Sequence, residues 1–226
     1  MSDLLRFQNY QHGGAIIITG IENPPIDIKY KLEYNRLRTA MTNLSKHTIE
    51  KYSYENEIFI NYTNVEEENM PVSLYLSESV ADIDKDDTKN ELKGAIRFIG
   101  SLSCVDGLVL LDQQLNIKGF GAVVRVIDPP ENIYVSGTSI INPKKLTAVN
   151  PNSYGTRHRS VFSYCWKNPG SLGFVISQDG DIRAVMRIND QVILWDNIRV
   201  HKFSQSPKLK KSKTRRPTKS KKKAKL

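Results

Sequence analysis

Apolar and polar positions along the chain change rhythm several times, and each change marks an element. Ala15-Ile16-Ile17-Ile18-Thr19 is a short β-branched run closed by Asn23-Pro24-Pro25, which predicts a buried strand. From Tyr30, apolar residues recur at Tyr34, Leu37, Met41 and Leu44, the period of a helix. Glu57 to Tyr62 has strand character, whereas Glu66-Glu67-Glu68 and the run from Asp82 to Asp87 predict exposed, solvated loops without chemistry. Thr88-Lys89-Asn90-Glu91 has the form of a capping box, and Leu92, Ala95, Ile96, Ile99 and Leu102 behind it predict a helix.

Val105-Asp106-Gly107 then opens a continuous aliphatic run, Leu108 to Leu111, ending at Asp112. Such a run predicts a central strand covered on both faces. Asn116 to Val126 predicts a further strand, and Gly119 and Gly121 within it suggest a bulge or a close approach. A stretch of about thirty residues containing Pro129-Pro130, Gly137 and Pro143 shows no clear period, which points to a functional or flexible insertion. Val161, Phe162, Cys165 and Trp166 share one helical face, ended by Asn168-Pro169-Gly170. The three runs after it, Gly173 to Ser177, Ile182 to Met186 and Val192 to Trp195, are separated by Asp179-Gly180 and Asn189-Asp190 and predict strands joined by tight turns. The fold class expected is α/β, a mixed twisted β-sheet flanked by helices.

Charge changes the picture at one end only. The formal net charge is +9, but eleven of the 33 Lys and Arg residues fall between Pro207 and Leu226, where there is no acid. Without them, 22 basic residues stand against 24 acidic ones, so the body is close to neutral and is no basic nucleic-acid-binding domain. The expected organisation is a domain over 1–203, with an N-terminal subregion about 1–80 and a core about 88–203, followed by a disordered Lys/Arg-rich tail over 204–226. Such a tail suits salt-dependent binding of polyanions such as nucleic acid, or serves solubility and localisation equally well. Apolar runs are too short to span a membrane, no secretory signal is expected, and Cys104 and Cys165 are isolated thiols with no zinc spacing. These features predict a cytoplasmic protein with no membrane partner.

Candidate chemistry concentrates in Gly155-Thr156-Arg157-His158-Arg159-Ser160, at the expected start of the helix. Three basic side chains in a first turn oppose the helix dipole, and a bound phosphate would resolve the conflict using free N–H groups, the Thr156 hydroxyl and two guanidinium forks. A solvated basic helix start has the same sequence. Asp106, at the opening of the aliphatic strand, is either a chemical carboxylate or a cap for the adjacent turn. His12-Gly13-Gly14 before the first strand suits close approach to a ligand, or a plain turn.

Taken in order, these pieces resemble the diadenylate cyclase (DAC) domain family. Its members carry an Asp-Gly-Ala motif, an Arg-His-Arg motif in a Gly-Thr-Arg-His-Arg context and a downstream Ser-Glu-Glu-type turn. The corresponding residues here are Asp106-Gly107-Leu108, Gly155-Thr156-Arg157-His158-Arg159 and Ser177-Gln178-Asp179-Gly180. The likeness is closer to a diverged bacterial branch described as nucleotide sensors, with a His-Gly-Gly strand, a Gly-Phe-Gly-Ala strand (Gly119 to Ala122) and a Ser-Gln-Asp-Gly hairpin. It covers roughly residues 10–200.

The resemblance implies two ATP-bound domains face to face, hence a homo-oligomer. Each 3′-hydroxyl would attack the partner's α-phosphate with Mg²⁺ or Mn²⁺ present, giving cyclic di-AMP and pyrophosphate. Asp106 would hold the metal or help activate the 3′-hydroxyl. Gly107, Leu108, Gly155, Thr156, Arg157, His158 and Arg159 would bind the nucleotide, with Ser177, Gln178 and Asp179 closing the site. Three positions depart from the family pattern: Gln178 stands where cyclases place a Glu near the metal, Leu108 adds bulk in place of Ala without necessarily harming the site, and Val105 stands where some cyclases have His. An amide binds a hard cation far more weakly than a carboxylate. The expected function is therefore an adenine-nucleotide sensor with weak or no turnover, the alternative being an active diadenylate cyclase.

Overall fold

In a computed structural model, residues 13–62, 71–125, 127–137, 145–177, 181–196 and 198 are described. The strands are β1 (Gly14–Thr19), β2 (Ile26–Tyr34), β3 (Leu108–Asp112), β4 (Ile117–Val124), β5 (Ile133–Ser136), β6 (Leu146–Val149), β7 (Leu172–Ile176), β8 (Ile182–Ile188) and β9 (Gln191–Trp195). The helices are α1 (Arg36–Tyr62), α2 (Val72–Leu102) and α3 (Thr156–Lys167). One mixed sheet runs in the order β2-β4-β3-β1-β7-β8-β9-β5-β6. β1 is parallel to β3 and β5 to β9, and the other pairs are antiparallel. The expected α/β class with helices on a mixed sheet is what forms.

Two cores explain why the central strands are apolar throughout. Ala15 and Ile17 of β1 and Leu108 and Leu110 of β3 join Val161, Phe162 and Cys165 of α3 on one face. The intervening Ile16, Val109 and Leu111 pack with Ala95, Ile96, Ile99 and Leu102 of α2 on the other. Side chains alternate across a strand, so a strand covered twice admits a polar side chain only where it finds a buried partner, as Thr19 does at the end of β1. Tyr164 anchors α3 from within, its hydroxyl donating to Thr19 Oγ1 at 3.2 Å, which in turn is 2.9 Å from Ser171 Oγ. Cys165 is buried and free, its thiol pushed up to about 12 by desolvation, while the free Cys104 is half-buried.

Several expectations fail, each where a distant partner outweighs the local pattern. Tyr30 to Tyr34 is strand, not the start of a helix, because β2 pairs with β4 and Tyr30 stacks on Phe120 at 4.9 Å. Leu37, Met41 and Leu44 do fall in the helix that follows. Glu57 to Tyr62 forms the last turns of α1 rather than a strand. Asp82 to Asp87 lies inside α2 and is no loop, since α1 lies alongside it and Lys51 pairs with Asp82. Thr88 is consequently mid-helix and caps nothing, its hydroxyl donating to the Asp84 carbonyl at 2.8 Å, and α2 begins after Pro71. Within the unpatterned stretch, β5 joins β9 and β6 joins β5. The acidic cluster at Glu66 and the basic tail lie outside the described residues. Among the described residues no helix is long and apolar enough to cross a membrane.

Among the described glycines, Gly173 of β7 has the closest neighbour in another layer. A Cβ there would lie 2.2 Å from Val161 Cγ1 of α3. Gly173→Ala should therefore lower stability by about 1–3 kcal/mol, the usual range for overpacking. Chemical denaturation of the two proteins checks this, and equal midpoints would show that α3 gives way without cost.

Candidate functional site

Where α3 begins, the sheet leaves a cleft of about 680 Å³, within the range of small-molecule sites. Four separate stretches build it. The start of β1 supplies Gly13 and Ala15, the approach to β3 supplies Asp106, Gly107 and Leu108, and the end of β7 supplies Val175, Ile176 and Ser177. Gly155, Thr156, Arg157, His158 and Ser160 come from the first turn of α3. The end of β4, Ala122 to Val124, completes an aliphatic wall.

Two glycines allow the approach to β3 to come this close. Gly107 has φ +110°, and a Cβ on it would meet the Gly121 carbonyl carbon at 2.6 Å. Gly121 itself has φ +62°, and the β3–β4 register shifts between Leu108 and Leu110. The pairing of this strand is irregular where its glycines suggested a bulge or a close approach.

The α3 N-terminus is open to a ligand. Gly155 provides no side-chain cap, the first turn carries no acid, and a Cβ at Gly155 would meet no atom within 4 Å. Uncapped N–H groups and the positive end of the dipole therefore face the cleft. Arg157 Nη2 lies 3.7 Å from Asp106 Oδ1 across the opening. Asp106 is fully exposed, not a buried polar residue at a strand start, so this ion pair is weak and easily exchanged for a ligand.

His158 departs from the expected trio of cationic side chains. Burial, aided by the positive charges of Arg183 and Arg157 and opposed by Asp196, brings its pKa from 6.5 down to about 4. The ring is neutral at pH 7. It packs against Tyr154 at 5.4 Å and Phe162 at 6.1 Å, and its Nε2 lies 3.3 Å from Arg183 Nη1. Arg159 is a second departure. Its side chain does not line the cleft; Nη2 reaches back to Thr156 Oγ1 at 3.4 Å, and Nε is buried without a partner. Gln178 and Asp179 lie outside the described residues. Sequence reasoning missed Tyr154, Arg183 and Asp196. Arg183 and Asp196 sit at and beyond strands whose pairing alone brings them to α3, and no motif marks them.

The described residues of the cleft do not make a metal centre. Asp106 is the one carboxylate among the described lining residues, and no three potential ligands cluster anywhere among the described residues. Known protein families, curated proteins and solved structures provide no match to this chain.

A depressed imidazole pKa has a definite sign for stability. As pH falls, the unfolded chain takes up this proton first, so the contribution of His158 is complete above about 6.5 and is lost between 6.5 and 4. Melting temperatures measured across that window should fall more steeply for wild type than for His158→Gln. Parallel curves would mean that the imidazole titrates normally.

Proposed function

We propose that the chain binds ATP or a related adenine nucleotide in this cleft and acts as a nucleotide sensor with little or no turnover. The supporting observation is convergence: Asp106-Gly107-Leu108, Gly155 to His158 and Ser177, far apart in the chain, line one cavity at an uncapped helix N-terminus. Phosphates would take the free N–H groups of the first turn, the Thr156 hydroxyl and the Arg157 guanidinium. The aliphatic wall of Leu108, Val123 and Val175 suits the flat apolar face of a base. Mg²⁺ or Mn²⁺ would arrive with the nucleotide, since a single carboxylate holds such an ion only together with phosphate oxygens. The reading of weak turnover rests on Gln178, an amide where cyclases place a Glu near the metal. The basic tail would add salt-dependent contacts to polyanions, and the setting proposed is cytoplasmic.

One observation favours the second reading, an active diadenylate cyclase. Asp106 is fully exposed at the rim of the cleft, where a second copy could bring its nucleotide. Incubation with ATP and Mg²⁺ or Mn²⁺ separates the two. The sensor reading expects bound ATP and at most traces of cyclic di-AMP, and brisk synthesis would replace it with the cyclase.

Arg157→Ala should weaken ATP binding by about 1.5–3 kcal/mol, the scale of a hydrogen bond to a charged group. Isothermal calorimetry on the full chain measures it. Equal affinities would remove the α3 first turn from the binding site.

A further inference from the structure

Behind the cleft, a side chain that lines no part of it touches one that does. Arg183 of β8 lies opposite Val175 in the β7–β8 register and is 18% exposed. Its Nε donates to Asp196 Oδ1 at 2.6 Å, and its Nη2 lies 3.9 Å from Asp181 Oδ2. The remaining nitrogen, Nη1, is 3.3 Å from Nε2 of His158. A guanidinium has five N–H donors and no acceptor, so Nε2 must be the acceptor in this contact. The ring proton is then on Nδ1.

We propose that Arg183 is a positioning residue for the cleft: held by Asp196, it donates to His158 Nε2 and keeps the imidazole neutral with its proton on Nδ1. His158 then meets a ligand as a neutral donor through Nδ1–H rather than as a cation. All but one of the groups facing the ring act in the same direction. Arg157 on α3 and Arg183 on β8 both oppose a third positive charge, Tyr154 and Phe162 exclude water from the ring, and only Asp196 favours protonation. For an anionic ligand the consequence is division of labour, with Arg157 supplying charge and His158 supplying direction. Only this ligand-facing consequence rests on the nucleotide reading.

The test is ¹⁵N–¹H NMR of the histidine side chains in the full chain, His158 being assigned by His158→Gln. Wild type should show an Nδ1–H imidazole that does not titrate between pH 5 and 8. Arg183→Gln should bring titration back toward 6.5, populate the Nε2–H form and make ATP binding tighten several-fold as pH falls below 6.5. Arg183→Lys, which also can only donate, should retain the wild-type pattern. Should Arg183→Gln fail to fold, the wild-type and Arg183→Lys spectra decide. A wild-type ring titrating near 6.5, a proton on Nε2, or an unchanged pattern in Arg183→Gln would overturn the proposal. The expected spectra from a wild type that binds no ATP would uphold the role of Arg183 and overturn the nucleotide reading instead.

Discussion

The place where α3 rests on the sheet governs everything that the cleft can do. Val161 of α3 lies directly over Gly173 of β7, with no room for a methyl group between them. Phe162 and Cys165 continue the contact into the core shared with β1 and β3. Packed interiors are rigid on this scale, so the contact fixes the helix start as well as its body. The Tyr164–Thr19–Ser171 hydroxyl chain secures the same helix from its far half. A helix end held this firmly presents its unpaired N–H groups at a constant position, as recognition of an anion needs.

Electrostatics around that helix start are more economical than its sequence suggests. Of the three basic side chains in the first turn, Arg157 lines the cleft, Arg159 turns back toward Thr156, and His158 is uncharged. One guanidinium with the helix dipole offers an anion site without the mutual repulsion of three adjacent cations. The loose Arg157–Asp106 pair balances the charge at the opening of the cleft.

The same physics explains which elements were legible. The Ile16 and Val109 strands declare themselves because burial on both faces leaves no alternative composition. The α3 helix declares itself by the spacing of Val161, Phe162 and Cys165. The α1–α2 hairpin hides, since much of its length packs only on itself. Phe59 and Ile60, apolar and β-prone, are 70% and 76% exposed on the last turns of α1, so their local signal misleads. Asp82 and Glu91 of α2 pair with Lys51 and Arg36 of the neighbouring helix, whereas Asp84, Asp86 and Asp87 stay exposed on the helix surface.

By itself, the sequence determined the α/β class, the central strands, the helix that begins after Gly155 and half of the residues that line the cleft. Those features depend on local periodicity and on glycines at forced backbone positions, both written into adjacent residues. The tertiary structure alone decided the extent of α1 and α2, the addition of β5 and β6 to the sheet, the exposure of Asp106 and the neutrality of His158. Each of these depends on a partner far along the chain, as His158 depends on an arginine 25 residues away brought to it by β8. Desolvation and long-range charge are properties of the folded neighbourhood, and no local pattern encodes them.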